Sequence, residues 1–585
     1  MVKQPRSASQ NHNKVPMTTL TARPNNPAAA SHLQASGHSP LLARLLASRG
    51  IDDAADARLE LAGLLAPEGL LGIDTAARHL ADAIEQHKHL VIIADYDCDG
   101  ATACAVGLRG LRALGAHVDF LVPNRFDYGY GLSPEIVELA ANHPDFAKPD
   151  LLLTVDNGMA SIDGVARANA LGMPVIITDH HLPADETPAA LAIVNPNQHG
   201  CTFASKNLAG VGVMFYVLIA TRAELKKRGH FDAQPTPNLA ELLDLVALGT
   251  VADVVKLDHN NRILVANGLA RMRAGKMSAG IAALLNVAGR EFRKASSFDM
   301  GFAVGPRLNA AGRLDDMSLG IRCLTTDDEK EARTIAVELD DMNKERKAIE
   351  QQMREDAEIN LSALDVDVQF SVCVSHNEFH QGVIGIVAGR LKEKYHRPTI
   401  VFAPDGKEFL KGSGRSINGI HLRDVLDWVN KHAPDTIVKF GGHAMAAGLT
   451  IVRDDLELFK TTFEAAVLAM SEPEVFTKQL LTDGALDAND LSIANVDAIN
   501  AQVWGQGFAA PLFEGMFTVV EQRILKDAHL KLTLQNQHGT FNAIWFFHAE
   551  MMPKTIHCAY QLQRNDWNGK TDLQFLIEFA TGIEE

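Results

Sequence analysis

The chain reads as an α/β protein with two α/β lobes joined by a long helix and followed by a small C-terminal β-barrel. Three observations predict this. Short apolar runs alternate with helical patterns from residue 71 to about 324 and again over 366–455; a seam of helical period lies between those stretches; and the C-terminal stretch alternates apolar with polar residues. The expected organisation is a tail and lead-in at 1–50, a first lobe at 51–324, a connecting helix at 325–363, a second lobe at 364–455, and a barrel with lead-in helices at 456–585.

At 585 residues the chain exceeds what one core supports. Its 46% hydrophobic and 22% charged content is that of an ordinary soluble protein. The longest apolar runs are strand-sized, which predicts no membrane span. Six cysteines are scattered without a Cys-x-x-Cys pair. That pattern suggests a reducing, cytoplasmic setting and neither a zinc nor a disulfide framework.

The first 50 residues hold no Asp or Glu and are rich in Ser, Asn, Pro, Ala and His. They are expected to be disordered. A transit peptide is the alternative for an acid-poor, Arg-containing start, although no apolar core of a secretion signal is present.

In the first lobe the apolar runs His89–Ala94, Leu151–Val155 and Val175–Thr178 read as buried parallel strands. Each leads into polar chemistry: Asp95-Tyr96-Asp97-Cys98-Asp99-Gly100, Asp156-Asn157-Gly158 and Asp179-His180-His181. A fourth apolar segment, from Leu245, ends at Asp253. Acids and imidazoles therefore gather at the carboxyl ends of strands, where open α/β sheets bind ligands. Asp-Gly and Asn-Gly are ordinary turn dipeptides, and a His-His pair is more often structural. Several carboxylates at buried strand ends nevertheless repel one another unless a cation sits among them. The pattern predicts a metal-dependent phosphoester-cleaving centre. Mixed carboxylate and imidazole ligands fit manganese, and magnesium less well. Two ions about 3.5–4 Å apart are expected, with Asp156 bridging them.

The connecting helix is marked by Thr326 and Glu329 at capping-box spacing, followed by Ala332, Ile335, Leu339, Met342, Ile349 and Met353 at spacings of three, four or seven. At 1.5 Å per residue it spans roughly 50 Å, enough to connect two domains, although packing on one of them is the alternative. In the C-terminal part Leu530, Leu532 and Leu534, then Phe541, Ala543, Trp545 and Phe547, then Leu573, Phe575, Ile577 and Phe579 mark half-buried strands of an antiparallel, OB-type barrel. Most of these aromatics are expected in its core, with the binding face the alternative for Trp545. Such barrels bind single strands on aromatic platforms.

These motifs together resemble the DHH phosphoesterase family, and within it the bacterial single-strand-specific DNA exonucleases, from about residue 70 to the C-terminus. Further matching pieces are Pro123-Asn124-Arg125, Gly129-Tyr130-Gly131, Gly305-Pro306-Arg307-Leu308-Asn309-Ala310-Ala311-Gly312-Arg313, Gly412-Ser413-Gly414-Arg415-Ser416, Gly441-Gly442-His443-Ala444 and Ala446-Ala447-Gly448. The resemblance implies a DHH lobe and a DHHA1-like lobe, with two Mn2+ or Mg2+ ions held by Asp95, Asp97, Asp156, His180 and Asp253. It also implies that His181 faces the scissile phosphate. Arg125, Arg307, Asn309 and Arg313 from the first lobe, and Ser413, Arg415 and His443 from the second, would then grip the nucleic acid. Guanidinium forks suit phosphate oxygens, and glycines let backbone amides approach them. Where many family members carry a histidine shortly before the first aspartate, this chain has Val91 and Ile93. The first ion is expected to bind more weakly for that reason.

The implied activity is hydrolysis of single-stranded DNA from its 5′ end to mononucleotides, the strand passing between the lobes and duplex excluded. Single-strand-binding protein and a RecQ-type helicase are the implied partners in recombination and repair, with the enzyme a monomer. A net charge of −17 argues against a nucleic-acid partner at first. A basic channel and a metal-loaded, positive site remain compatible with it, and predict salt-sensitive, metal-dependent binding. Three rivals share the motifs: a hydrolase of very short or cyclic oligonucleotides, a polyphosphate or pyrophosphate hydrolase, and an inactive replication scaffold. The first two have little need of the barrel, and loss of ligands marks the third.

Overall fold

The structure is a computed structural model that describes residues 18–124, 128, 131–184, 186–362, 369–567 and 569–583. It divides into two compact units, one formed by 23–343 with 483–585 and the other by the N-terminal residues to 22 with 344–482.

Residues 18–50 depart from the expectation of disorder. Strand β1 (Thr19–Ala22) and helices α1 (Pro27–Ala35) and α2 (Pro40–Ala47) are formed. The Asn-Pro and Ser-Pro steps are helix starts: Asn26 accepts a hydrogen bond from Ala29 N and Ser39 one from Leu42 N, with proline in the first turn of each helix. Leu41 and Leu45 of α2 lie in the barrel's core, and Arg49 pairs with Asp483 at 2.7 Å. Residues 1–17 fall outside the described residues.

The first lobe is built on a five-stranded parallel sheet, β2 (His89–Ala94), β3 (His117–Leu121), β4 (Leu151–Val155), β5 (Val175–Thr178) and β6 (Ala192–Val194), in the order β3-β2-β4-β5-β6. Every residue of β2, β4 and β5 is buried, as continuous apolar runs require between two helical layers. From β2 the chain steps outward to β3 and then returns to the other side of β2 as β4. The β2/β4 boundary is therefore the switch point, and the crevice beyond the strands' carboxyl ends opens there. Helices α3 (Ile73–Glu85), α4 (Cys98–Ala113), α5 (Gly210–Lys227) and α6 (Leu243–Ala252) cover the sheet through a core containing Leu80, Ala105, Met214 and Leu248. Helix α7 (Gly305–Leu314) packs on the loop after β2 so closely that a Cβ on Gly312 would lie 1.9 Å from Tyr96 O.

The connecting helix α8 runs from Glu329 to Ser362. Its start differs from the expected Thr326/Glu329 box: Asp328 accepts from Lys330 N, while Thr326 Oγ1 donates to Glu331. Ile335 and Leu339 enter the core of the first unit, and Met353, Ala357 and Leu361 that of the second. The apolar seam serves two cores in turn.

The second lobe carries the mixed sheet β10-β11-β9-β8-β7, formed by β7 (Val372–Ser375), β8 (Thr399–Asp405), β9 (Phe409–Arg415), β10 (Ile437–Gly442) and β11 (Ala446–Val452), with α9 (Ile384–Tyr395) between β7 and β8. Helix α10 (Leu456–Ala469), expected to lead into the barrel, belongs here instead. Its stripe of Phe459, Phe463, Ala466 and Val467 packs with Ile400 and Phe402 of the sheet. Strand β12 (Gln479–Thr482) then pairs in parallel with β1.

The barrel is closed in the order β13-β14-β15-β17-β16, from β13 (Phe513–Leu525), β14 (His529–Asn536), β15 (Gly539–Trp545), β16 (Thr555–Trp567) and β17 (Lys570–Gly582). The expected antiparallel pattern has one exception, β15 against β17, because the β16–β17 hairpin folds between β13 and β15 to close the ring. Leu530, Leu532, Leu534, Ala543, Phe575 and Ile577 are core, and Trp545 is half-buried with its ring stacked on His548. Phe547 lies beyond β15 and is 90% exposed.

Candidate metal centre

Four chain segments converge beyond the β2/β4 crevice. Asp95 follows β2, and Asp97 caps α4 by accepting from Gly100 N at 3.0 Å. Asp156 follows β4 at φ +62°, a left-handed conformation that few non-glycine residues adopt. Its neighbours fix it there: Asn157 Nδ2 donates to Ile93 O and Val155 O, and Thr154 Oγ1 donates to Asn157 O. Helix α5 abuts the same residue, since a Cβ on Gly210 would stand 2.6 Å from Asp156 Oδ1. His180 follows β5, and Asp253 caps the C-terminus of α6.

The side chains form overlapping ligand sets whose donor atoms lie within 4.8 Å of one another: Asp95, Asp97 and Asp156; Asp156, His180 and His181; and Asp99, His180 and Asp253. His180 Nε2 stands 3.1 Å from Asp156 Oδ1, 3.5 Å from Asp253 Oδ2 and 3.9 Å from Asp99 Oδ2. This nitrogen is buried and makes no hydrogen bond among the described residues. A buried imidazole nitrogen surrounded by carboxylate oxygens is a donor set for a divalent cation. Asp97 shares its set with Asp95 and Asp156.

The electrostatics agree. Burial, then Asp97, pushes Asp99 up to about 7. Burial and the neighbouring carboxylates hold Asp156 and Asp253 well above the usual carboxylate range. Burial and then His181 lower His180 to about 4, leaving it neutral and able to ligate. His181 goes the other way. Burial opposes its charge, but Asp179, whose Oδ1 lies 2.7 Å from its Nδ1, lifts it to about 9. Asp179 is fixed in turn by Met159 N and by the amides of His180 and His181.

Sequence reasoning passed over Asp99. It is fully enclosed, accepts from Gly210 N at 2.6 Å and Val211 N at 3.0 Å, and so anchors the N-terminus of α5 against the acidic cluster. Its position four residues after Asp95 in one acidic string was the available signal.

The expected nucleic-acid contacts divide. Arg125 lies outside the described residues, as do Gly129 and Tyr130. The Arg307 guanidinium pairs with Asp340 at 2.7 Å and donates to Ala303 O, tying α7 to α8. Asn309 is also occupied, accepting from Cys98 N at 2.7 Å and so bracing the metal loop. Arg313 stands half-buried in the last turn of α7. On the second lobe Arg415 Nη1 donates to Ser413 Oγ and Gly414 O, and no carboxylate of the described residues pairs with it. Ala446, the register partner of Arg415, accepts from His443 N, which brings that exposed histidine to the same sheet end. Gly385 of α9 faces the pair; a Cβ there would stand 3.0 Å from Ser413 Oγ. Gly441 and Gly448 pair across β10 and β11 with open space above both.

Family models match three segments: the DHH family N-terminal domain over 89–250, the DHHA1 domain over 366–469 and the RecJ OB domain over 482–578. The single-stranded-DNA-specific exonuclease RecJ of Salmonella typhimurium is 46% identical over 553 residues, covering 92% of this chain and 95% of that protein. The chain belongs to the RecJ family. Among solved structures, RecJ of Thermus thermophilus in complex with Mn2+ aligns with a TM-score of 0.79 at 29% identity, covering 97% of this chain and 79% of that one. The same protein in complex with Mg2+ aligns at 0.75 and 28%, covering 97% and 78%. RecJ membership and the acidic and imidazole donor set agree on divalent-metal chemistry. No helix of the described residues is long and apolar enough to cross a membrane.

Proposed function

We propose that this RecJ-family chain is a single-strand-specific DNA exonuclease that removes 5′-mononucleotides from the 5′ end by two-metal hydrolysis, in recombination and DNA repair. The observation that carries it is Asp156, held at the sheet's switch point and shared by two overlapping ligand sets. Asp95, Asp97 and Asp156 would hold one ion, and Asp156, His180 and Asp253 the other, with manganese favoured by the imidazole. When bound, such ions acidify a water and stabilise the attacking and leaving oxygens at phosphorus.

The chain's own groups do the rest. Asp156 orients both ligand sets, and Asp99 aims the amide end of α5 at the cluster. His181, kept protonated by Asp179, offers a positive charge and an N–H to a phosphate oxygen. On the second lobe Ser413, Arg415 and His443 hold backbone phosphates, and on the first lobe Arg313 is a further guanidinium. One chain supplies every expected ligand, which supports a monomer. Single-strand-binding protein and a RecQ-type helicase would supply the strand, in the cytoplasm.

The test incubates the full chain with Mn2+ and a long single strand labelled at either end, with a labelled dinucleotide and a duplex in parallel. Immediate mononucleotide release only from the 5′-labelled strand is the expected result. Cleavage confined to the dinucleotide would point to a small-substrate hydrolase, and binding without cleavage to a scaffold.

A further inference from the structure

We infer that Phe298 and Phe302 form a base-stacking ledge at the rim of the metal centre, on which a nucleobase near the reacting phosphate rests. The inference builds on the proposed single-strand exonuclease function. The two side chains are 58% and 69% exposed, with ring centroids 4.7 Å apart and planes 23° from parallel. Two phenylalanines stacked in solvent are not a core remnant. They leave a flat apolar face uncovered.

The segment that carries them is tied down at several points. Ser296 and Asp299 form a capping box, Ser297 Oγ donates to Trp504 O, and residues Met300–Val304 make a π-helical turn leading into α7. Single π turns recur at functional sites. The turn is pressed against the centre through its glycines. A Cβ on Gly301 would lie 3.4 Å from Val251 Cγ1, and one on Gly305 would lie 3.2 Å from Ala252 Cβ and 3.9 Å from Cys98 Sγ. Val251 and Ala252 directly precede Asp253, and Cys98 separates Asp97 from Asp99. Val254 follows at φ +61°, strained for a β-branched residue, and is 62% exposed.

Phenylalanine has no donor or acceptor, so this ledge cannot take a phosphate. It suits an aromatic ring with a free face, and a nucleobase whose phosphate sits over Asp95, Asp156 and Asp253 is the group delivered beside it. Such stacking tolerates all four bases, as an exonuclease requires.

The test compares the wild-type chain with Phe298→Ala/Phe302→Ala on unmodified strands and on strands bearing one abasic nucleotide. The variant is expected to raise KM for a long strand about fivefold or more with kcat nearly kept, and Phe302→Trp to restore it. The wild type is expected to pause as the abasic position reaches the ledge, and the variant to show no such pause. Unchanged KM with the same pausing in both proteins would overturn the ledge. Unchanged strand kinetics with lost stimulation by single-strand-binding protein would also overturn it, marking the face as a protein contact. A wild type that digests no single strand would instead sink the underlying function.

Discussion

His180 Nε2 lies 3.1 Å from Asp156 Oδ1, an imidazole from the end of β5 meeting a carboxylate from the end of its neighbour β4. The contact follows from parallel pairing, which brings residues just past the ends of adjacent strands to one place. Asp156→Ala removes the group common to two ligand sets. Hydrolysis is expected to fall by more than the roughly 10–100-fold that loss of an outer partner costs, while strand binding persists. Single-turnover assays and fluorescence anisotropy on one preparation check this, and substantial residual turnover would refute the bridging role.

Protonation of the centre opposes metal. Asp99, pushed up to about 7 from 3.8, and Asp156 and Asp253, also raised, bind protons more tightly in the folded chain than in the unfolded one. Without metal, their contribution to stability declines as pH rises from about 4 through 7. A divalent ion takes the protons' place. The Tm increment given by Mn2+ is therefore expected to be larger at about pH 7.5 than at about pH 5.5, and calorimetry in buffers of differing ionisation enthalpy should show proton release. Equal increments would mean that these carboxylates are ionised already.

Ile93 stands two residues before Asp95 and is 1% exposed, packed in a cluster with Leu121, Leu152 and Ile177. It offers no ligand at the place where the family resemblance leads one to expect a histidine. Titration of the wild-type chain is expected to show one tight and one weaker site, with Asp95, Asp97 and Asp156 forming the weaker. Ile93→His should tighten that site only if the ring turns from the apolar cluster. Two equally tight sites in the wild type would remove the distinction.

Much of this was legible in sequence because strand ends announce themselves: three apolar runs stop at acids or histidines, and a parallel sheet puts those stops side by side. What escaped were groups defined by tertiary approach. Asp99 looks like its neighbours in the acidic string until the α5 amides are placed against it, and Gly312 looks like any glycine until Tyr96 O fills the space of its side chain. The tail misled for a related reason. Ser39-Pro40 reads as disorder by composition, yet the Leu41 and Leu45 that follow find their partners in the barrel, more than 400 residues along the chain. The barrel's β13 was missed because its burial pattern does not alternate cleanly over its 13 residues, and β16 because an irregularity at Ala559/Tyr560 breaks its alternation.

Arg307 and Arg415 looked alike in sequence, each in a glycine-bearing motif, and the fold separates them. Arg307 pairs with Asp340, both side chains 12% exposed, so Arg307→Ala breaks a largely buried ion pair. A loss of about 1 kcal/mol or more is expected, read as a lowered Tm, with KM for the strand little changed in the folded fraction. Among the described residues Arg415 has only neutral partners, Ser413 Oγ and Gly414 O, and burial already depresses its pKa, so a phosphate would be its natural counter-charge. Arg415→Ala is expected to leave Tm nearly unchanged, raise KM for single strands and flatten the salt dependence of binding. Lysine at 415 should recover only part of this, because a point charge lacks the guanidinium fork. Thermal denaturation and salt-dependent kinetics of the two variants in parallel decide the assignment, and a reversed pattern would exchange the roles of the two arginines.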